Sequence, residues 1–396
     1  GGDKDAATAA RLRKTSRNLR LPELKVIVMS ATLDVDLFVG YFGGEGAGVR
    51  TLSVRGRAFP VEVLHTPAAQ EDYMEAALST VMRIHTEAPP DGDAPGDVLV
   101  FLPGRDEIEG LASLLRARLA ELVAPTAAAG VDGDAPREDA VRSLLGLGTN
   151  VRDAEESGEP VAGVLVCPLY AALPPEAQMV AFHPRPPGCV RKIVLATNIA
   201  ETSVTIDGVR YVVDTGKTKT RTYSGVTGME SLTVADVSKD QATQRTGRAG
   251  RTCAGFCFRL YPEQAFHALE QTAPPEILRV NLAQVVLYLK GMGVHDPRNF
   301  EFPTPPDTAS LIAAFETLHQ LGAVDASMDL TPHGRDMARL PLDPTFAHLL
   351  LQSPRFGCTR EMLTAVAMLS AENIFYRPGG GDGGGGGGRG SRRPPA

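Results

Sequence analysis

The stretch Ile193-Val194-Leu195-Ala196-Thr197-Asn198 passes from a short apolar run directly into polar residues. An apolar run of this length that ends in polar residues is typical of a strand buried in a parallel sheet. The same pattern predicts four further strands, at residues 26–29, 98–102, 164–166 and 211–213. Helical spacing of apolar residues predicts helices over residues 73–84 and 108–122. The alternation predicts an α/β fold with helices on both faces of a parallel sheet.

Length and composition bound the possible classes of protein. The 396 residues are enough for two or three domains, and the net charge of −7 excludes a uniformly basic nucleic-acid coat. Any anion site is therefore expected to be local. The five cysteines argue against a disulfide framework, and Cys253 and Cys257 are interpreted as core or strand thiols rather than zinc ligands. The sequence has no run of 18 apolar residues, so no membrane span is expected, and no metal site is expected either.

The character of the chain changes at three places. Residues 124–160 are rich in Ala, Gly, Pro and Asp, which predicts a largely disordered insertion. Strand–helix alternation stops near Pro262, after which residues 277–292, 311–321 and the stretch that begins at residue 330 look helical. Residues 379–396 are a glycine-rich tail that we expect to be flexible. An α/β domain is thus expected to be followed by small helical domains.

Polar residues follow several of the predicted strands. Ser30-Ala31-Thr32, Pro103-Gly104-Arg105 and Thr197-Asn198 each come after an apolar run. Ligands of open parallel sheets bind beyond the carboxyl ends of the strands, where these residues would lie together. The hydroxyl of Thr197, the amide of Asn198 and nearby backbone donors suit a phosphate backbone without reading bases. Taken alone, Thr197 is more typical of a helix cap.

A basic run, Gln244-Arg245-Thr246-Gly247-Arg248-Ala249-Gly250-Arg251, follows a helix-like stretch that begins at Ser238. Guanidinium groups match phosphate oxygens, and neighbouring small residues let an anion approach the backbone. Arg248 and Arg251 are three residues apart, so on a helix they would share one face. An anion site and a solvated basic face are the two interpretations of this run. For Arg245, a structural ion pair is as compatible as ligand binding.

A second basic segment follows the strand at residues 211–213. Lys217, Lys219 and Arg221 lie on a predicted hairpin that runs to about Val237. Basic residues at alternate positions of an extended segment can face RNA phosphates. Lysines also protect sheet edges from pairing with other chains, so a solvated edge is an equally good interpretation.

Six segments follow one another in a specific order. They are Ser30-Ala31-Thr32, residues 101–109, Leu169-Tyr170-Ala171-Ala172-Leu173-Pro174, residues 197–206, Val212-Val213-Asp214-Thr215-Gly216 and the run at residues 244–251. In this order and at roughly this spacing they resemble the later motifs of the DEAH-box RNA helicases of superfamily 2. The resemblance covers residues 21–377 apart from the insertion. Within the family, residues 26–38 most resemble the DEAH-box helicase 33 type.

The resemblance implies RecA-like parallel-sheet domains followed by winged-helix-like and helical, ratchet-like regions. Residues 1–58 would be the C-terminal remnant of a first RecA-like domain, and residues 59–262 a second RecA-like domain that contains the insertion. Residues 263–330 would form a winged-helix-like domain. Residues 331–378 would be the start of a helical helicase-associated domain, with residues 379–396 as the tail.

The resemblance also implies a catalytic role for three residues of the basic run. Arg248 and Arg251 would act as arginine fingers that neutralise charge on the transferred phosphoryl group. Gln244 would orient the attacking water. The cofactor would be ATP or another NTP with Mg²⁺.

Further residues are implied by resemblance to contact the nucleotide and the RNA. Thr205 and Asp207 would contact the ribose or phosphates, and Phe182 would stack on the base. Without the family, Phe182 would be interpreted as core. The implied RNA-binding residues are Gly104, Thr197, Asn198, Lys217 and Lys219. Ser30 and Thr32 would couple nucleotide binding to RNA binding.

Two family motifs are missing from the sequence. The P-loop needs G-x4-G-K-[ST], and Gly216-Lys217-Thr218 only imitates its end, because Tyr211 stands at the required first glycine. Asp106-Glu107-Ile108-Glu109 is not the DEAH box, because it has no histidine and lies after Ser30-Ala31-Thr32. We therefore expect the P-loop and the main Mg²⁺ ligands in an N-terminal part outside this chain. Pro103 and Arg105 also replace the family's usual threonine and glutamine.

These observations favour an ATP-dependent RNA helicase whose NTP hydrolysis drives RNA unwinding or remodelling. The missing P-loop favours an alternative, a non-catalytic RNA- or partner-binding regulatory fragment. A viral-type or DNA helicase is a third interpretation. The expected partners are RNA and protein activators bound to the winged-helix and helical region. At the level of the family, the expected location is nuclear or nucleolar, or else cytoplasmic.

Overall fold

The computed structural model describes residues 25–29, 34–54, 59–88, 96–123, 163–202, 205–224 and 229–371. Within these residues there are eight strands: β1 Val61–His65, β2 Asp97–Phe101, β3 Val164–Leu169, β4 Arg191–Ala196, β5 Val209–Asp214, β6 Lys217–Ser224, β7 Met229–Asp236 and β8 Gly255–Arg259. Six of them form a parallel sheet in the order β1-β8-β5-β2-β4-β3, and β6 pairs with β7 as an antiparallel hairpin. The predicted α/β fold and the predicted hairpin are confirmed.

The sheet has a hydrophobic core on each face. Leu99 and Phe101 belong to one core, and Val98 and Val100 belong to the other, because successive side chains of a strand point to opposite faces. Among the described residues, the α-helices before β8 are α1 Val35–Tyr41, α2 Tyr73–Glu87, α3 Arg105–Val123, α4 Pro175–Met179 and α5 Lys239–Thr246. Helices α2 and α3 pack on the face of Val98 and Val100. Such two-sided burial explains why the strands of the sheet centre read as continuous apolar runs.

Two strand assignments from the sequence need correction. Residues 26–29 have no strand pairing and their side chains are exposed, because no neighbouring strand for them lies among the described residues. A lone strand cannot satisfy its backbone hydrogen bonds, so the apolar run alone does not make a strand. Conversely, the sequence pattern missed β1, an edge strand that carries Glu62 and His65 and pairs only with β8.

The part of the chain after β8 is helical. Its α-helices are α6 Glu263–Ala268, α7 Ala283–Gly291, α8 Thr308–Gln320, α9 Pro332–Ala338, α10 Pro344–Gln352 and α11 Thr359–Ser370. Asp307, Thr331 and Asp343 accept backbone N–H bonds at the starts of α8, α9 and α10. Helices α7 to α10 share a third core that includes Leu287 and Phe315. Among the described helices, none combines the length and apolarity that a membrane span requires.

The hairpin is tied to this helical part by backbone contacts. The Tyr223 N–H donates to the Arg279 carbonyl oxygen at 2.9 Å, and the Arg279 guanidinium donates to the Arg221 carbonyl oxygen at 3.3 Å. Both partners of Arg279 lie on β6. The hairpin is therefore held between the parallel sheet, from which it leaves at the end of β5, and the helical part.

Candidate functional site

The basic run begins on a helix but leaves it before its last two arginines. Helix α5 Lys239–Thr246 starts at Ser238, which forms a capping box with Gln241, and ends at Gly247. Arg248 and Arg251 therefore lie in the turn that follows the helix. The expectation that helical spacing would align these two arginines was wrong, because the helix stops one residue before the first of them.

The turn nevertheless brings both arginines to one place. Gly250 packs so closely that an added Cβ would lie 2.6 Å from the carbonyl oxygen of Phe59. Only glycine fits there, and it lets the turn fold back against the sheet. As a result, Arg248 and Arg251 both line one shallow pocket at the surface, which encloses no space for a water molecule. The remaining lining residues are Leu99, Ala200, Ile206 and Val209.

The pocket has a cationic end. Burial and the nearby charge of Arg251 lower the pKa of Arg248 to about 10, an effect that Glu201 partly opposes. Arg248 thus stays charged at neutral pH, while its charge is poorly solvated and repelled by a second cation. The Arg251 guanidinium donates to the hydroxyl oxygen of Thr205. An anion bound between the two arginines would relieve this repulsion.

The other predicted nucleotide and catalytic residues lie around this pocket without lining it. Gln244 is half-buried on the last turn of α5. Asp207 is exposed in the turn that leads into β5. Phe182 is half-buried and packs against the same core as Leu99, which agrees with its interpretation as a core residue from sequence alone.

The predicted RNA-binding residues meet at the carboxyl edge of the sheet. Gly104 follows β2, and Thr197 and Asn198 follow β4, the neighbouring strand. The Thr197 N–H donates to the Leu169 carbonyl oxygen at 3.2 Å, which fixes the end of β4 against β3. Thr197 occupies the N-cap position of the short 3₁₀ helix Asn198–Ala200, but its hydroxyl accepts no capping hydrogen bond there.

The basic residues of the hairpin are paired with carboxylates. Lys217 Nζ lies 2.6 Å from Asp236, and Lys219 Nζ lies 3.1 Å from Glu107. Lys219 also packs against Gly104, where the side chain of any larger residue would collide with it. Lys219 therefore lies at the carboxyl edge of the sheet, although its charge is partly balanced by Glu107.

Arg245 takes a place that the sequence left undecided. It is fully buried, with Nε 2.7 Å from Glu201 Oε1 and Nη1 2.7 Å from Asp214 Oδ1. Asp214 also accepts the Gly216 N–H and the Tyr261 hydroxyl, each at 2.9 Å. The structural ion pair was thus the correct alternative for Arg245. In the sequence, Glu201 and Asp214 were noted only as members of motifs. The signal that could have revealed their ion pairs with Arg245 was the presence of a charged residue within an apolar stretch.

Two predicted residues cannot be placed. Ser30 and Thr32, expected to couple nucleotide and RNA binding, lie outside the described residues. Their role stays a prediction.

Family models match three parts of the chain. The helicase conserved C-terminal domain matches residues 149–253. The winged-helix helicase associated domain (HA2) matches residues 314–342, and the ratchet-like HA2 domain matches residues 343–387. Their order agrees with the order expected from the motifs, while the domain boundaries given above stay predictions.

Curated relatives match nearly the whole chain. It is 43% identical over 361 residues to the pre-mRNA-splicing factor ATP-dependent RNA helicase DEAH10 of Arabidopsis thaliana, covering 91% of this chain and 44% of that protein. It is 41% identical to the pre-mRNA-splicing factor ATP-dependent RNA helicase prp22 of Schizosaccharomyces pombe, covering 91% of this chain and 27% of that protein. The chain thus spans less than half the length of these relatives.

Solved structures confirm the RecA-like fold. The DEAH/RHA helicase HrpB of Escherichia coli superimposes with a TM-score of 0.70 at 30% identity, covering 92% of this chain and 40% of HrpB. A second structure, of the E. coli DExH-box NTPase HrpB, gives a TM-score of 0.67 at 30% identity and covers 92% of this chain and 38% of that one. By its motif order, its RecA-like sheet and these matches, the chain belongs to the DEAH-box helicase family.

Proposed function

We propose that this chain supplies the second RecA-like domain of an ATP-dependent RNA helicase, in which NTP hydrolysis drives RNA unwinding or remodelling. The observation that carries the proposal is the turn that brings Arg248 and Arg251 together, with the Thr205 hydroxyl bonded to Arg251. Two neighbouring guanidinium groups, of which that of Arg248 is partly desolvated, form with this hydroxyl an anion site suited to phosphate.

The groups in this pocket fit the phosphates of a nucleotide and do not fit Mg²⁺. Magnesium takes oxygen ligands, mostly carboxylates and waters, whereas cations dominate here. Arg248 and Arg251 would stabilise the charge that develops on the transferred phosphoryl group, and Gln244 would orient the attacking water. Asp207 and Phe182 would hold the ribose and base. The P-loop lysine and the Mg²⁺ ligands would come from a preceding domain.

The carboxyl edge of the sheet would hold RNA. Gly104, Thr197 and Asn198 offer backbone groups, a hydroxyl and an amide at adjacent strand ends, and such groups contact phosphate and sugar without base specificity. Lys219 adds a cation at the same edge. Lys217 starts the same strand of the hairpin and would follow the RNA backbone. We infer nuclear residence and RNA substrates from the splicing-factor relatives, and we place protein activators on the winged-helix and helical region.

The test is ATP hydrolysis with and without RNA by a full-length version of the protein that has an intact P-loop. We expect RNA-stimulated turnover, and we expect an Arg248→Ala/Arg251→Ala double variant to lose it. Loss of one arginine finger typically costs about 10³-fold or more in kcat. Arg118→Ala, a solvent-exposed arginine on α3, is the matched control and should keep wild-type turnover. RNA-independent turnover, or turnover unchanged in the double variant, would refute the proposal.

We infer a second candidate function, a non-catalytic RNA- or partner-binding fragment, from the strand-end polar residues and the helical part that the described residues contain. On this view the chain as written keeps the RNA edge and the helical surfaces but hydrolyses no ATP. Steady-state ATPase assays and RNA-binding assays on the purified chain test it. RNA binding without turnover supports the fragment, whereas turnover that vanishes in the double variant would rule it out.

A further inference from the structure

We propose that Arg245 is the positioning residue that transmits RNA binding to the arginines of the nucleotide pocket. Its guanidinium bonds to segments on both sides of the domain, and it is completely buried. The inference rests on the proposed function, because that function assigns the pocket to the nucleotide and the carboxyl edge to RNA.

On the nucleotide side, Arg245 is bonded to both segments that build the pocket. The Arg245 carbonyl oxygen accepts the Arg248 N–H at 3.0 Å, so the position of the Arg248 backbone depends on that of Arg245. Its Nε bonds to Glu201 at 2.7 Å. Glu201 lies in the segment that leads to Thr205, the residue whose hydroxyl accepts a hydrogen bond from Arg251. A movement of Arg245 would therefore reach both arginines.

On the RNA side, the same side chain is bonded to the start of the hairpin. Nη1 bonds to Asp214 at 2.7 Å, and Nη2 donates to the Lys217 carbonyl oxygen at 3.2 Å. The guanidinium carbon lies 4.9 Å from the centre of the Phe101 ring, three residues before Gly104. Glu201 also lies three residues after Asn198. Arg245 is thus bonded directly to the end of β5 and to the start of the hairpin, and it packs against the last residue of β2.

The geometry of guanidinium makes this connection rigid. Its planar fork fixes the directions of all three acceptors at once, which an ammonium group cannot do. The site excludes water, so an acceptor that moves away leaves a buried charge unpaired at high cost. Such an element shifts between discrete arrangements instead of deforming gradually, which is the property that coupling between two sites needs.

The experiment compares two substitutions of fully buried arginines. Arg245→Lys removes the guanidinium group that joins the nucleotide side to the RNA side. Arg191→Lys removes bonds to the backbone carbonyls of Ile84 and Ala88, which lie far from both sides. In a full-length version with an intact P-loop, ATPase activity is measured with and without a single-stranded RNA, together with the thermal midpoint. We expect both variants to unfold at lower temperature. Only Arg245→Lys should reduce the RNA-stimulated to basal ratio, by about fivefold or more.

The outcomes separate this inference from the proposed function. If wild-type protein is stimulated by RNA and Arg245→Lys keeps the wild-type ratio, or if Arg191→Lys loses it equally, Arg245 is merely structural and the inference is overturned. A wild-type protein without RNA stimulation overturns the proposed function itself. Should Arg245→Lys fail to fold, Glu201→Gln, which keeps the shape but weakens one bond of the fork, must reduce the ratio for the inference to stand.

Discussion

The parallel sheet has fully buried cations at both ends of its strands, the amino edge and the carboxyl edge, but the cations at the two edges bind different kinds of partner. At the amino edge, Arg191 donates to the carbonyl oxygens of Ile84 and Ala88 and so closes the end of α2. Lys192 donates to two carbonyl oxygens of the loop that precedes β4. These buried charges satisfy backbone groups that would otherwise be orphaned at a helix end or in a loop. Their role is structural.

At the carboxyl edge, Arg245 bonds instead to the side chains of Glu201 and Asp214. Glu201 follows the 3₁₀ helix Asn198–Ala200 and Asp214 ends β5, so the bonds join two segments that are distant in sequence and that precede candidate ligand-binding residues. Burial of a charge therefore does not by itself mark a functional region. The nature of its partners does, because backbone carbonyls anchor one element whereas side chains from several loops fix the geometry of a site.

The largest expected difference between the edges concerns two buried aspartates. Asp214→Ala would leave Arg245, the Gly216 N–H and the Tyr261 hydroxyl each without a partner, and breaking such a buried pair costs about 3–5 kcal/mol. Asp97→Ala at the amino edge removes mainly one acceptor, for the Lys192 N–H, at a cost of about 1–3 kcal/mol. Urea unfolding followed by circular dichroism measures both, since the chain contains no tryptophan.

Burial also raises the pKa of Asp97, against hydrogen bonding from Lys192 and nearby cations, so its charged form is not favoured by the fold. This gives a second reason for the smaller effect at the amino edge. Equal losses of stability for the two aspartates would contradict the distinction between the edges.

A pair of glycines provides a smaller contrast. Gly216 has a φ of 71°, and an added Cβ would lie 2.6 Å from a ring carbon of Tyr261. Gly188, ahead of β4, has a φ of 82° but open space around it. We expect Gly216→Ala to cost about 2–4 kcal/mol, from backbone strain and overpacking together. Gly188→Ala should cost only the strain, about 1 kcal/mol. Calorimetric unfolding that ranks them in reverse would show that Tyr261 moves freely.

RNA binding tests the edges more directly. Lys219 and Arg83 are each paired with a glutamate, but only Lys219 lies at the carboxyl edge beside Gly104. Lys219→Gln should weaken binding of single-stranded RNA a few-fold and lower the slope of log K against log salt by about 0.7, as expected for one lost phosphate contact. Arg83→Gln makes the same change of net charge and should alter neither quantity. Equal effects would mean that only overall charge matters.

Sequence reasoning succeeded where contacts are local. Residues 98–102 and 193–195 were recognised as strands because both faces of each are buried, and the hairpin because its basic residues alternate after a strand. The apolar runs also predicted that Gly104, Thr197 and Asn198 follow the carboxyl ends of strands. It could not show that residues 26–29 remain unpaired, because pairing depends on a neighbour and not on the run itself.

The candidate site was predicted in its members but not in its geometry. Arg248 and Arg251 were expected on a helix, and the close packing of Gly250 against Phe59 places them in a turn instead. The partners of Arg245 lie 44 and 31 residues away, and only the order of strands in the sheet brings them together. Residue spacing carries no information of that kind.

The smallest expected effect is a pH dependence of stability that arises from His85, near the amino edge of the sheet. Burial, and then the charge of Arg191, lower the pKa of His85, whose Nδ1 has no hydrogen-bond partner among the described residues. The folded protein thus favours neutral His85, while the unfolded chain protonates near pH 6.5. Neutral His85 therefore contributes fully to stability above pH 6.5. This contribution is lost as the pH falls through 6.5 towards the lower pKa of the folded state. His85→Gln should flatten this part of the urea-unfolding profile. Burial and the charge of His348 lower the pKa of His333 as well, so His333→Gln should remove a separate contribution of the same sign, and the two effects should add in the double variant. An unchanged urea-unfolding profile between pH 7.5 and 5.5 in His85→Gln would mean that His85 does not contribute to the pH dependence of stability.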